Sequence, residues 1–137
     1  MKNIVLSVVA LLLISTGSCK KDENVPKAYV DLLLQLNLPQ YVTLNTINNW
    51  ISIPGGNRGI IVYRRSSQDF IALEQTCTYD AENTVKVEGN NIIAHDSICG
   101  SKFQITDGSV TQGPATRSLV QYRVDYNASD NTLHIYN

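Results

Sequence analysis

The sequence is short of the residues from which most catalytic and metal sites are built, with two histidines and three cysteines in 137 residues. It has no Ser-His-Asp order, no paired-carboxylate spacing and no phosphate-binding glycine loop, so no enzyme class finds support. A dominant charge is missing too. Eleven Lys plus Arg stand against twelve Asp plus Glu, for a net charge of −1. With neither sign clustered, nucleic acid and acidic polymers are not indicated as partners. There is no internal repeat, no low-complexity tract and no amphipathic membrane helix. The longest apolar run, Val5 to Ile14, falls well short of the roughly 20 residues that span a bilayer.

That run is informative for another reason. Lys2 precedes it and the small residues Ser15, Thr16, Gly17 and Ser18 follow, directly before Cys19. A positive start, a short apolar stretch and small residues make a cleavable signal peptide. Small residues ahead of a cysteine resemble the bacterial lipobox, which implies a diacylglyceryl group on Cys19 and cleavage before it. The expected division is signal peptide 1–18, lipidated Cys19 and a solvated tether over 19–27, then one β domain over 28–137. Lys21-Asp22-Glu23 resembles the signal with which some Bacteroidetes-type bacteria send lipoproteins to the outer face of the outer membrane, and it serves equally as a plain spacer. The expected address is the cell envelope, anchored to the outer membrane. With Cys19 acylated, Cys77 and Cys99 remain as a pair in an exported protein, where disulfides persist.

The rest of the chain reads as short strands. Val30 to Leu38 alternates in its second half and predicts a half-buried strand stopped by Pro39, with a short helix over the leucines as the competing reading. A short extended piece within Tyr41 to Ile53 leads to the Pro54-Gly55-Gly56-Asn57 loop. Gly59 to Arg64 carries a continuous apolar run, and Asp69 to Glu74 follows. Thr84 to Glu88 and Asn91 to Ala94 flank a Gly89-Asn90 turn, Lys102 to Ile105 and Ser109 to Thr111 flank Asp107-Gly108, and Leu119 to Tyr126 pairs with Thr132 to Tyr136. This spacing predicts an all-β fold, an antiparallel sandwich or small barrel.

Three stretches occur in order: Cys77-Thr78-Tyr79, then Cys99-Gly100-Ser101-Lys102-Phe103, then Gln112-Gly113-Pro114-Ala115 with Leu119 downstream. Together they resemble the Rieske domain, with its Cys-Thr-His loop, its Cys-x-x-His-Gly-Ser-x-Phe loop and its Gly-Pro-Ala covering loop. With Gly59 to Arg64 ahead of them, they look most like the Rieske-like lipoproteins of Bacteroidetes. The likeness runs from about Gly59 to Tyr136. In that family a 2Fe-2S cluster is held by two cysteines on one iron and two histidines on the other. Setting Gly100-Ser101 on the family's Gly-Ser leaves Cys77 as a cysteine, puts Tyr79 at the first histidine, Asp96 at the second cysteine and Cys99 at the second histidine. Both imidazoles are gone, and a carboxylate is a poor substitute for a thiolate.

Two readings of the loops follow. In the first, Cys77 and Cys99 form a disulfide between the loop tips, no cluster or other cofactor is bound, and the domain is a non-catalytic binding or accessory module. Its partners are the membrane, through Cys19, and a protein or small molecule that the sequence does not identify. In the second, Cys77, His95, Asp96 and Cys99 hold zinc or an atypical iron site, a 2Fe-2S cluster included, and the protein transfers electrons or binds metal. Among lesser candidates, Ser101 is expected to satisfy loop backbone groups and Gly113-Pro114 to form a turn. Tyr63 and Tyr79 are either core or an aromatic surface. Trp50 is either packing or a sugar-stacking ring. His134 has no evident partner in the sequence.

Overall fold

A computed structural model describes residues 25–89 and 92–137. Cys19 and the signal peptide lie outside the described residues, as do Asn90 of the expected turn and Asn91, the first residue of the strand expected after it. No described helix is long and apolar enough to cross a membrane.

Among the described residues, ten strands form two antiparallel sheets. They are β1 (Asp31–Gln35), β2 (Trp50–Ile53), β3 (Ile60–Arg64), β4 (Phe70–Glu74), β5 (Lys86–Val87), β6 (Ile93–His95), β7 (Lys102–Gln104), β8 (Val110–Gln112), β9 (Gln121–Asn127) and β10 (Thr132–Tyr136). The larger sheet runs β1-β10-β9-β4-β3-β2 and the smaller β5-β6-β7-β8. An all-β, antiparallel fold is thus what the chain adopts.

The continuous apolar runs of β3 and β4 have a direct physical reading. Side chains of a strand alternate between faces, and here both faces are covered. Ile60, Val62, Phe70 and Ala72 point into one core with Leu34, Leu44, Leu133 and Ile135. Ile61, Tyr63, Ile71 and Leu73 point into a second core with Phe103, Ile105, Ala115 and Leu119. Because the second core lies between the large sheet and the small one, β3 and β4 act as a shared wall. Trp50 packs, half-buried, at the edge of this second core.

The first strand is shorter than the alternation suggests. It ends at Gln35, four residues before Pro39. Leu36 stays buried while Leu38 is exposed, because the Leu38 N–H bonds to the Gln35 carbonyl at 3.0 Å and turns the chain towards a 3-10 turn at Val42–Asn45. A strand, not a helix, forms over Leu32 to Leu34. In the expected hairpin only Lys86 and Val87 pair, opposite His95 and Ala94.

A buried carboxylate locks the large sheet to the glycine loop. Glu74 is 1 % exposed. Its Oε2 accepts from the Tyr122 hydroxyl (2.6 Å) and the Asn57 N–H (2.7 Å), and its Oε1 from the Thr76 hydroxyl (2.8 Å), the Arg58 N–H (2.9 Å) and the Thr76 N–H (3.0 Å). Gly56, at φ +62°, is required there, since a Cβ would collide with the Glu74 carboxylate.

Candidate functional site

Three loops converge beyond the end of the second core: 75–83 after β4, 96–101 between β6 and β7, and 113–117 after β8. Polar side chains tie them together. The Thr78 hydroxyl donates to the Arg117 carbonyl at 2.6 Å. Ser101 is fully buried, and its Oγ accepts the Ala115 N–H at 3.0 Å, the backbone-satisfying task expected of it. The Gln112 side-chain amide donates to the Gly100 carbonyl at 3.0 Å. The turn around Pro114 is therefore held onto the second loop, and its Gly113-Pro114 bond is cis.

Among the described residues this convergence gathers Cys77, Asp96 and Cys99, whose donor atoms all lie within 4.8 Å of one another. Cys77 is fully buried and Asp96 is 1 % exposed, while Cys99 is half-buried. The alternation of β6 explains why Asp96 belongs to the group and His95 does not. Ala94 and Asp96 face inward, so His95 faces the other way, where its Nδ1 lies 3.6 Å from Glu88 Oε1. The four-residue metal set containing His95 is corrected accordingly to three residues.

Cys77 and Cys99 meet as the sequence led one to expect, but they are free cysteines with sulfurs 3.9 Å apart. A disulfide would need about 2.05 Å. The expected covalent staple is thus not formed in this structure. What engages Cys99 instead is its own loop: its Sγ lies 3.2 Å from Asp96 Oδ2 and 3.1 Å from Ser101 Oγ, and it accepts the Ser101 N–H at 3.4 Å.

The electrostatics of the group are set by burial and by backbone amides. Burial pushes the Cys77 thiol up to about 12, against the opposing pull of N–H bonds from Asp80 and Tyr79 to its sulfur. For Asp96 burial also opposes ionisation, yet the carboxyl is held below its ordinary value by bonds from the Ile98 N–H, both thiols and the Cys99 N–H. Asp96 Oδ1 receives the two amides, at 2.8 and 3.3 Å. The two cysteine thiols are thus the side chains that face this carboxylate.

Tyr79, at the family's first histidine position, packs its half-buried ring against the second core. His134 has a partner that its sequence context did not reveal: antiparallel pairing of β1 with β10 brings its Nε2 within 2.7 Å of Asp31 Oδ1, and its ring stacks on Tyr136. This pair lies on the exposed face of the large sheet.

No protein-family model and no curated relative matches the chain. Solved structures do. The cyanobacterial plasma membrane Rieske protein PetC3 from Synechocystis PCC 6803 is similar over 64% of this chain and 86% of its own, at 22% identity and a TM-score of 0.54. The ferredoxin of carbazole 1,9a-dioxygenase from Nocardioides aromaticivorans IC177 covers 69% of this chain and 91% of its own, at 12% identity and a TM-score of 0.47. The ferredoxin–oxygenase complex of carbazole 1,9a-dioxygenase gives 81% and 94%, at 17% identity and 0.48. On the PetC3 likeness the chain contains a Rieske-like domain, and the three converging loops hold its candidate site. Their donor set differs from the two cysteines and two histidines that hold a Rieske cluster. Two sulfurs and one carboxylate close around a single point, and the remaining family position is a core-packed tyrosine.

Proposed function

We propose that this protein is a lipid-anchored module of the cell envelope that keeps the Rieske scaffold without its 2Fe-2S cluster and acts as a non-catalytic binding or accessory domain. The observation that carries this reading is the donor set at the loops. A Rieske centre needs a pair of neutral imidazoles on its outer iron. Here one of those positions is Tyr79 and the other is Cys99, while an ionised, amide-bound Asp96 occupies the second thiolate position. Anchoring through Cys19 would hold the domain at the membrane, with the short charged segment after it as spacer.

The test is to express the full chain with iron and sulfide in supply and to measure visible absorption, iron and acid-labile sulfide. A colourless protein without sulfide is expected. Iron and sulfide near cluster stoichiometry, with visible bands, would overturn the reading in favour of an electron-transfer domain, the function that the Rieske likeness supports as the alternative.

A further inference from the structure

From the arrangement of Cys77, Asp96 and Cys99 we infer that the loop tip binds one borderline-soft divalent cation of the zinc class, through both thiolates and the Asp96 carboxylate, with a fourth position left for water or a small ligand. This deepens the functional reading above and rests on its claim that the two-iron cluster is not the occupant.

Geometry is the first support. Zinc bonds of about 2.3 Å to sulfur and about 2.0–2.2 Å to oxygen, at tetrahedral angles, put two thiolate ligands about 3.8 Å apart and a thiolate and carboxylate oxygen about 3.5 Å apart. The observed separations are 3.9 Å for Cys77 Sγ to Cys99 Sγ and 3.2 Å for Cys99 Sγ to Asp96 Oδ2. These two separations match one coordination sphere to within a few tenths of an ångström, and all three donors lie within 4.8 Å of one another.

A second support is the carboxylate itself. If the cysteines closed to a disulfide, both thiols that face the 1 % exposed Asp96 would vanish as donors. A buried carboxylate oxygen that loses its donor costs free energy, whereas a cation replaces both donors at once. Third, backbone N–H groups point at both sulfurs, from Tyr79 and Asp80 to Cys77 and from Ser101 to Cys99. Such amides fix the orientation of the sulfurs that a metal would bind. The ion would enter from the half-buried Cys99 side, and Thr78 and Ser101, tied to the third loop, would hold the ligands in register.

The full chain, reduced and metal-free, should be titrated with Zn2+ against a chromophoric chelator, and with Co2+ while thiolate-to-metal absorption is followed. One ion per chain is expected, with a tetrahedral Co2+ spectrum. Cys77→Ser and Cys99→Ser should each weaken Zn2+ binding on the order of 100-fold or more, and Asp96→Asn should weaken it about 10- to 100-fold, as changes at or beside a metal's ligands do. His95→Ala should bind as the parent chain does. Asp96→Asn, nearly isosteric, keeps the test valid if a cysteine variant fails to fold. A reduced chain with two free thiols that takes up no Zn2+ would overturn the inference, as would equal loss in His95→Ala and Asp96→Asn. So would a chain whose thiols close to a disulfide in the presence of Zn2+. None of these results would restore the two-iron cluster, so this inference can fail while the functional reading stands.

Discussion

Two buried carboxylates mark the two ends of the account. Glu74 and Asp96 are each 1 % exposed, and each is held below its ordinary pKa. For Glu74 burial is again the largest influence and acts upward, outweighed by Tyr122, the Asn57 and Arg58 amides and Thr76. Their partners differ in kind. Glu74 is saturated by backbone amides and two hydroxyls, groups that neither a metal ion nor oxidation can displace. Asp96 faces two cysteine thiols, whose protons can be exchanged for a metal ion or lost to a disulfide. A carboxylate closed off by permanent donors is structural, and one closed off by replaceable donors is a site.

The largest effect belongs to the structural side. Glu74→Ala should destabilise the domain by about 4 kcal/mol in urea or guanidinium unfolding, because it leaves five donors around a cavity. A loss under about 1 kcal/mol would erase the distinction. Next comes the replaceable side. Zn2+ at about a hundredfold excess over its Kd should raise stability by about 2.7 kcal/mol, and EDTA should remove that gain. Asp96→Asn should lose about half or more of the gain while costing only about 1 kcal/mol without metal, since Asn keeps an oxygen for the Ile98 and Cys99 amides. Tyr122→Phe, which removes a 2.6 Å bond to a buried charge, should cost about 2 kcal/mol with or without Zn2+.

Acid gives a finer test. Both carboxylates are depressed in the fold, so the stability they contribute is complete above about pH 4–5, the unfolded value, and is lost as pH falls through the folded values. The metal-free protein should therefore weaken progressively below about pH 4. Glu74→Gln should flatten that slope, seen as unfolding midpoints that vary less between pH 5 and pH 3 than those of the parent chain.

Much of the fold was legible because period and punctuation survive locally. The continuous runs Ile60 to Tyr63 and Phe70 to Leu73 announced strands covered on both faces, and the Gly-Ser and Gly-Pro-Ala stretches announced the loops. Less visible was whatever depends on pairing between distant segments. Nothing near Glu74 in sequence names Tyr122, 48 residues away, as its partner. The end of β1 at Gln35 is set by a turn bond and by burial of Leu36, against an alternation that runs on to Leu38. Within the site, Cys77, Asp96 and Cys99 could be named from the motif positions, but His95 could be set aside only once the facing of β6 was known. The Gly113-Pro114 and Ser101 roles could be anticipated; the exposed Asp31–His134 contact could not, since it depends on β1 lying beside β10.

The central claim is that this Rieske-like scaffold offers its loops to a single ion and not to a two-iron cluster. It is tested most directly by metal and sulfide analysis, with visible absorption, on the full chain produced with iron, sulfide and zinc all supplied. One zinc per chain, no labile sulfide and no visible band is the expected result. Two irons and two sulfides per chain, with the bands of a 2Fe-2S centre, would contradict it.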